Sequence, residues 1–393
     1  MAPSVPQRPA MRASVQVWAA TLLGFLSVGA VLPVLPRYVK GPIGAGDVSV
    51  GIVVGCFAFA AVVARPLAGR LADERGRRRV MLAGMGISAV AGALLAVPLG
   101  VPGLVAARLV LGVGDALLFT AAATWIVDLA PPERRGQAIG LFGLAIWGGL
   151  AAGPIFGELL LRLGSYEAVW AFAAVMPLLG ALVARGVPEV RPAPGAANAA
   201  RGPLVPRRVI PPGVALALAN VGYGTMAGFV VLHLDDAGVG GGASAFTAFA
   251  AAVVLARLLA GRLPDVLGPR TTAIAAGAAE TAGLGLLALA PSFPVALAGA
   301  VVMGCGFSLL FPSLALIAVS RVGGERRGAA LGAFTAFFDA GVGLGAPLAG
   351  AVAALAGYPA AFWLAAGAAL AGTVVAAGMD ERGPLPQARP AAA

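Results

Sequence analysis

Residues 65–79 read Arg-Pro-Leu-Ala-Gly-Arg-Leu-Ala-Asp-Glu-Arg-Gly-Arg-Arg-Arg. This charged stretch lies between two apolar runs, 48–68 and 80–99, each long enough to cross a bilayer as a helix. Two spanning helices are therefore joined by a tight basic hairpin. Gly69 and Gly76 supply backbone freedom and close approach, Asp73 offers a carboxylate that can cap or pair, and the arginines hold the turn on the cytoplasmic side.

The rest of the chain repeats this pattern of apolar run and short basic loop. Of its 393 residues 60% are hydrophobic and 11% charged, against an apolar share of about 45–50% in soluble domains. With a mean hydropathy of +0.93 the chain is a polytopic membrane protein. Its net charge of +10 comes from residues scattered through loops and not from one amphipathic face, which argues against nucleic acid as a partner. Cys56 and Cys305 each sit alone in an apolar run, so neither a disulfide nor a metal site is expected.

After a polar segment at 1–14, twelve apolar spans follow at about 15–36, 48–68, 80–99, 103–127, 137–161, 167–185, 213–233, 244–262, 271–290, 293–319, 329–355 and 360–378. The first is too long for the core of a signal peptide. The segment 186–212, rich in Pro, Ala and Arg, reads as a cytoplasmic linker between bundles at 15–185 and 213–379, with a cytoplasmic tail at 380–393. With both termini inside, 21 basic residues fall on the cytoplasmic side and only Arg37, Lys40 and Arg162 outside. That bias fixes the expected topology.

The two halves repeat at a constant offset of 192. Arg65, Gly69-Arg70-Leu71 and Asp73 recur as Arg257, Gly261-Arg262-Leu263 and Asp265. Gly112, Gly114, Phe119, Glu133-Arg134-Arg135-Gly136 and Gly140 recur as Gly304, Gly306, Phe311, Glu325-Arg326-Arg327-Gly328 and Gly332. A parallel repeat of six helices places two bundles around a central site near the midplane.

Three motifs carry a resemblance. The spacing Gly69-x-Leu71-Ala72-Asp73-x-x-Gly76-Arg77-Arg78 resembles the loop 2–3 signature of the major facilitator superfamily of secondary transporters. Arg108-x-x-x-Gly112-x-Gly114 is similar to that family's fourth-helix motif, and Gly149-x-x-x-Gly153-Pro154-x-x-Gly157 to the fifth-helix motif of its antiporters. The resemblance implies twelve transmembrane helices in two six-helix bundles. It also implies that Asp73 meets the N-terminal end of the eleventh helix and that Arg77 and Asp128 form a relay at the inner end of the fourth, stabilising the outward-facing state. The second-half loop, 261–270, has lost most of its basic residues and is expected to be the weaker latch. The glycines of the fifth span suit close helix packing, and the family likeness adds a hinge for alternating access.

Charges unique to one half are the functional candidates. Opposite Arg108, Asp115 and Asp339 in the repeat stand Ala300, Phe307 and Trp147. An ionisable group at membrane depth is unfavourable unless a cavity or partner receives it. Arg108 and Asp115 are about 10 Å apart along one helix face, so the two line one cavity or form a water-bridged pair. Asp115 and Asp339 are the proton-coupling candidates. Glu280 is expected in a peripheral polar contact, and Glu158 and His233 in solvated or capping roles near the outer ends of their spans. In the family the cavity is lined by the first, fourth, seventh and tenth helices, which here carry Thr21, Phe25, Phe119, Asn220, Tyr223, Thr225, Met226, Phe307, Ser308 and Phe311. That lining, with Arg108, suits an amphipathic organic molecule better than a sugar.

The expected activity is proton-coupled efflux of a small organic compound such as a drug or secondary metabolite. A nutrient-importing proton symporter and a non-transporting sensor or scaffold are the alternatives. No cofactor or metal is called for, and with one histidine, no Gly-x-Ser-x-Gly and no phosphate-cradling loop, no enzymatic function is expected. Substrate, protons and membrane lipids are the expected partners of a monomer.

Overall fold

The computed structural model describes residues 7–130, 135–189, 206–321 and 327–379. Their secondary structure is helical throughout. The first half holds α1 (Gln7–Val31), α2 (Leu35–Lys40), α3 (Asp47–Arg75), α4 (Arg77–Leu94), α5 (Gly100–Leu129), α6 (Arg135–Leu163) and α7 (Tyr166–Arg185). A 3-10 turn, Arg207–Val209, leads into the second half: α8 (Ile210–Asp236), α9 (Gly242–Ala260), α10 (Leu263–Val266), α11 (Pro269–Leu289), α12 (Phe293–Ser320), α13 (Arg327–Ala356) and α14 (Tyr358–Ala377).

Eleven spans among the described residues are long and apolar enough to cross a membrane. The twelfth expected span, α4, is only 18 residues long and carries Arg77, Arg78 and Arg79 in its first turn. It ends at Leu94 rather than 99, and lies against α5 and α7. The first span is not continuous either. Pro33 lacks the amide a helix needs, and the chain breaks there before restarting as α2. Helix α1 also begins within the segment assigned to the N-terminal tail.

The charged stretch 65–79 proves to be mostly helix. Helix α3 runs through Arg75, and Gly76 alone makes the turn, at φ 95° and ψ 152°. Gly268, 192 residues on, has nearly the same conformation, φ 85° and ψ 148°. L-residues avoid this region, so the repeat requires glycine at both places. Gly69, by contrast, makes no close approach: a Cβ there would meet nothing within 4 Å.

Helix pairing follows the repeat. In the first half α1 packs on α6 and α7, α3 on α5, and α4 on α5 and α7; in the second, α8 packs on α13 and α14, α9 on α12, and α11 on α12 and α14. The seams between the halves are α3 against α13 and α6 against α9. Small residues allow these approaches. Cβ atoms on Gly149, Gly153 and Gly157 of α6 would collide with the α1 backbone at Leu22, Gly29 and Ala30. Gly341 and Gly345, the counterparts of Gly149 and Gly153, meet α8 at Ala217 and Val221 in the same way.

Glu133, Arg134, Glu325 and Arg326, the centre of the linker at 190–205 and the tail 380–393 lie outside the described residues.

Candidate functional site

Arg65 is the centre of the site, and it reaches across a seam. From the C-terminal half of α3 its Nε and Nη2 grip Asp339 of α13 at 2.5 and 3.0 Å, and Nη2 also lies 3.4 Å from Asp115 of α5. All three side chains are largely buried, with 15%, 4% and 11% exposed. The guanidinium lies 4.7 Å from the centroid of Phe119, which itself packs edge-on against Phe142. A two-point fork onto a carboxylate is the strongest geometry arginine offers, and here it ties one half of the protein to the other.

The sequence suggested Arg108 as the neighbour of Asp115. Arg108 instead turns to α3, donating from Nε to Val53 O at 3.1 Å and from Nη2 to Val54 O at 2.9 Å, with its Cζ 4.5 Å from the centroid of Phe57. Its contact with Phe57 and those two carbonyls makes it a brace between α5 and α3. Close packing makes this possible: Gly112, one turn further along α5, abuts the Phe57 carbonyl, where any Cβ would collide.

An aromatic nest stands where the repeat of this charged site falls. Trp147 of α6 crosses the other seam, its ring centroid 5.8 Å from Tyr223, 6.0 Å from Phe249 and 5.4 Å from Phe307. Phe338 joins at 6.3 Å from Phe307, and Phe311 lies 6.3 Å from Phe338 and 5.3 Å from Phe334. Trp147 is the counterpart of Asp339 and Phe307 of Asp115. The same two slots thus hold carboxylates on one side and rings on the other. The sequence offset already paired these positions; only the crossing of the helices shows that both pairs face the opposite half.

Other candidates have local roles. Asn220 donates to Leu216 O, Thr225 to Val221 O, Thr21 to Val17 O, and Ser308 to Val253 O. Phe25 and Met226 are buried in the core. Glu280 is not peripheral: it is fully buried inside the second bundle, with both carboxyl oxygens lacking a hydrogen-bond partner, beside Gly222, Leu284 and Met303. His233 is buried rather than solvated, bonded to Leu287 O at 2.8 Å and packed on Phe362. Glu158 pairs with Arg37 and Arg162.

At the face bearing the Gly76 turn, Arg77 pairs with Asp73 at 2.5 Å and Asp128 at 3.1 Å. The described contact of Asp73 is this one with Arg77; its expected meeting with the N-terminal end of the eleventh helix falls on side chains 327–329, outside the described residues. Arg78 binds Glu189 through its backbone amide at 2.9 Å and Val187 O through its side chain, holding the chain as it leaves α7. At the far face the halves are joined: Arg37 forks onto Asp235 of α8, and the Tyr358 hydroxyl donates to Asp47 at 2.9 Å. The described polar links between halves thus lie at mid-depth and at this far face.

Two equivalent six-helix halves, joined by pairs of seams over buried charges, define a membrane transporter. The sequence matches the Major Facilitator Superfamily over residues 17–246 and again over 213–393. It is 35% identical over 391 residues to an uncharacterised MFS-type transporter of Salmonella typhimurium, covering 95% of this chain and 98% of that one. It is likewise 35% identical over 378 residues to one of Burkholderia mallei, covering 94% and 92%. The chain belongs to the Major Facilitator Superfamily. Among solved structures, the human organic anion transporter MFSD10 superposes with a TM-score of 0.72 at 20% identity, covering 95% of this chain and all of that one. A point mutant of the nucleoside transporter NupG gives 0.77 at 16% identity, covering 93% and 99%. At these identities the likeness is one of fold.

Proposed function

We propose that the protein is a proton-coupled antiporter that exports a small amphipathic organic compound by alternating access, working as a monomer in the bacterial cytoplasmic membrane with both termini inside. The observation that carries this reading is the Arg65 bridge to Asp339 and Asp115 across the α3–α13 seam. An ionised carboxylate holds a guanidinium at mid-membrane far more strongly than a neutral carboxyl does. A proton arriving on Asp339 or Asp115 removes a charge from the bridge, loosens the seam and lets the halves rock; the return of the charge closes it again. Phe119 and the nest of Tyr223, Phe307 and Phe311 form the apolar wall against which the substrate lies, with Phe25, Asn220 and Ser308 behind it. Arg108 acts from outside the cavity by fixing α3 to α5.

Efflux rather than import is supported by the fifth-helix glycine motif, which builds a close α1–α6 crossing repeated at α8–α13. Orientation is supported by the excess of basic residues on the Gly76 side. With that side inward, the links Arg37–Asp235 and Tyr358–Asp47 would close the outer face, which supports an inward-facing reading, and Arg75 and Arg79 would lie where anionic lipid headgroups are found. The solved proteins of this fold named above carry organic anions and nucleosides, solutes of the size proposed here.

Purified protein in proteoliposomes under an imposed pH gradient tests this. Addition of a transported compound from a panel of candidates should drive proton movement out of step with substrate, and a protonophore should abolish accumulation. Asp115→Asn and Asp339→Asn should lose gradient-driven transport while keeping substrate counterflow. Proton-driven transport intact in both variants refutes the coupling role, and proton and substrate moving in the same direction would make the protein a symporter.

A further inference from the structure

The repeat shows where a charge is missing. Arg65 and Arg257 are counterparts at the offset of 192. Arg65 is neutralised by Asp339 from the opposite half and Asp115 from its own. Arg257, on α9, has Trp147 and Phe307 at those same two positions. Its Nη2 donates to Ser308 O at 2.8 Å, while its Nε is buried with no hydrogen-bond partner, and no carboxylate among the described residues pairs with it. It also faces the other half: a Cβ on Gly143 of α6 would lie 3.0 Å from Nη1, so glycine there leaves the guanidinium room. A cation at this depth with one backbone carbonyl for company is an unfavourable arrangement that an anion would relieve.

What stands beside Arg257 describes the anion. Trp147 is one turn along α6 from Gly143, and Phe249 two turns along α9 from Arg257, both toward the aromatic nest. Ser308, whose carbonyl receives Arg257, adjoins Phe307 of the nest. A guanidinium whose Nε is unpartnered, one to two turns from a cluster of rings, is a site for an aromatic organic acid.

We propose that Arg257 is the anchor for an anionic substrate, and that the transported compound is an aromatic carboxylate whose charge fills the place that Asp115 and Asp339 occupy on Arg65. The proposal rests on the transport function above and names its substrate class. Binding of the carboxylate would seat its ring against Tyr223, Phe249 and Phe307, in competition with Trp147. Displacement of the Trp147 ring from the seam would in turn couple occupancy to the α6–α9 contact between halves.

The test uses the full chain in detergent at one pH, without a gradient, and a matched trio of probes: 1-naphthoate, 1-naphthamide and 1-naphthylmethylammonium. Binding is read from quenching of tryptophan fluorescence. The carboxylate should bind about tenfold more tightly than the amide, and more tightly still than the ammonium. Arg257→Gln should erase that preference and Arg257→Lys should retain part of it. Trp147→Asp restores at Arg257 the counter-charge that Asp339 gives Arg65, and it should abolish carboxylate binding while the protein remains monodisperse and helical. Equal or weaker binding of the carboxylate, its failure to bind, or a preference unchanged by Arg257→Gln overturns the proposal. Because no proton gradient enters the measurement, this result is independent of coupling: Asp115→Asn and Asp339→Asn can fail in proteoliposomes while the charge preference stands, and the reverse.

Discussion

The bridge at Arg65 makes a quantitative prediction about unequal partners. Asp339 receives two charge-assisted bonds, at 2.5 and 3.0 Å, and its side chain is 4% exposed, whereas Asp115 receives one at 3.4 Å. A buried two-point ion pair that loses one member is destabilised by about 3–5 kcal/mol, because the other charge is stranded. Asp339→Asn should fall at about 3 kcal/mol, the low end, since Asp115 remains within reach of the same guanidinium. Asp115→Asn leaves the fork intact and should cost about 1 kcal/mol, in the range of a single stretched pair. Arg65→Gln strands both carboxylates and should be the most damaging of the three. In double-mutant cycles the coupling of Arg65 with Asp339 should exceed that with Asp115 by about 2 kcal/mol, some thirtyfold in an equilibrium constant. Reversible unfolding in mixed micelles with increasing SDS, followed by tryptophan fluorescence, gives each value. A coupling for Asp115 equal to or larger than that for Asp339, or both below about 0.5 kcal/mol, would show that the bridge does not hold the halves as described.

Two further predictions concern glycine. Gly157→Leu should separate α6 from α1, because a side chain there runs into the Ala30 backbone; overpacking of about 1–3 kcal/mol and a fall in folded yield are expected, while Gly140→Ala, with nothing within 4 Å, should be silent in the same SDS titration. Gly76→Ala should lower stability by about 1–2 kcal/mol through its φ of 95° alone. It also meets the Glu189 carboxylate, whereas Gly69→Ala, inside α3 with open space around it, should change the unfolding midpoint little.

Much of this architecture could be read before any coordinates. Apolar runs of about twenty residues have few alternatives to spanning helices, and an unbroken offset of 192 implies equivalent halves, which the pairing of α1 with α6 and α8 with α13 displays. What the sequence hid depends on helix rotation and crossing. Arg108 and Asp115 share a helix face and read as lining one cavity or bridged by water, yet the approach of α3 at Gly112 brings backbone carbonyls to Arg108 and leaves Asp115 to Arg65. Trp147 was visible only as the residue opposite Asp339; that it enters a ring of aromatics depends on the α6–α9 seam. Glu280 looked peripheral because nothing along α11 reveals that its face turns inward onto Gly222. The loop signature brought Asp73, Arg77 and Asp128 together on paper, and in the structure Arg77 lies between the two carboxylates.

The matched slots at 115 and 307, and at 339 and 147, have a bearing on how such a protein can change over generations. Each slot sits on a scaffold already proven with two chemistries, one acidic and one aromatic, in mirrored copies of the same fold. Exchange of a residue between copies is therefore a rehearsed substitution rather than a novel one. A lineage could in this way trade cargo through a handful of codons while the glycine crossings that keep the helices in register stay untouched.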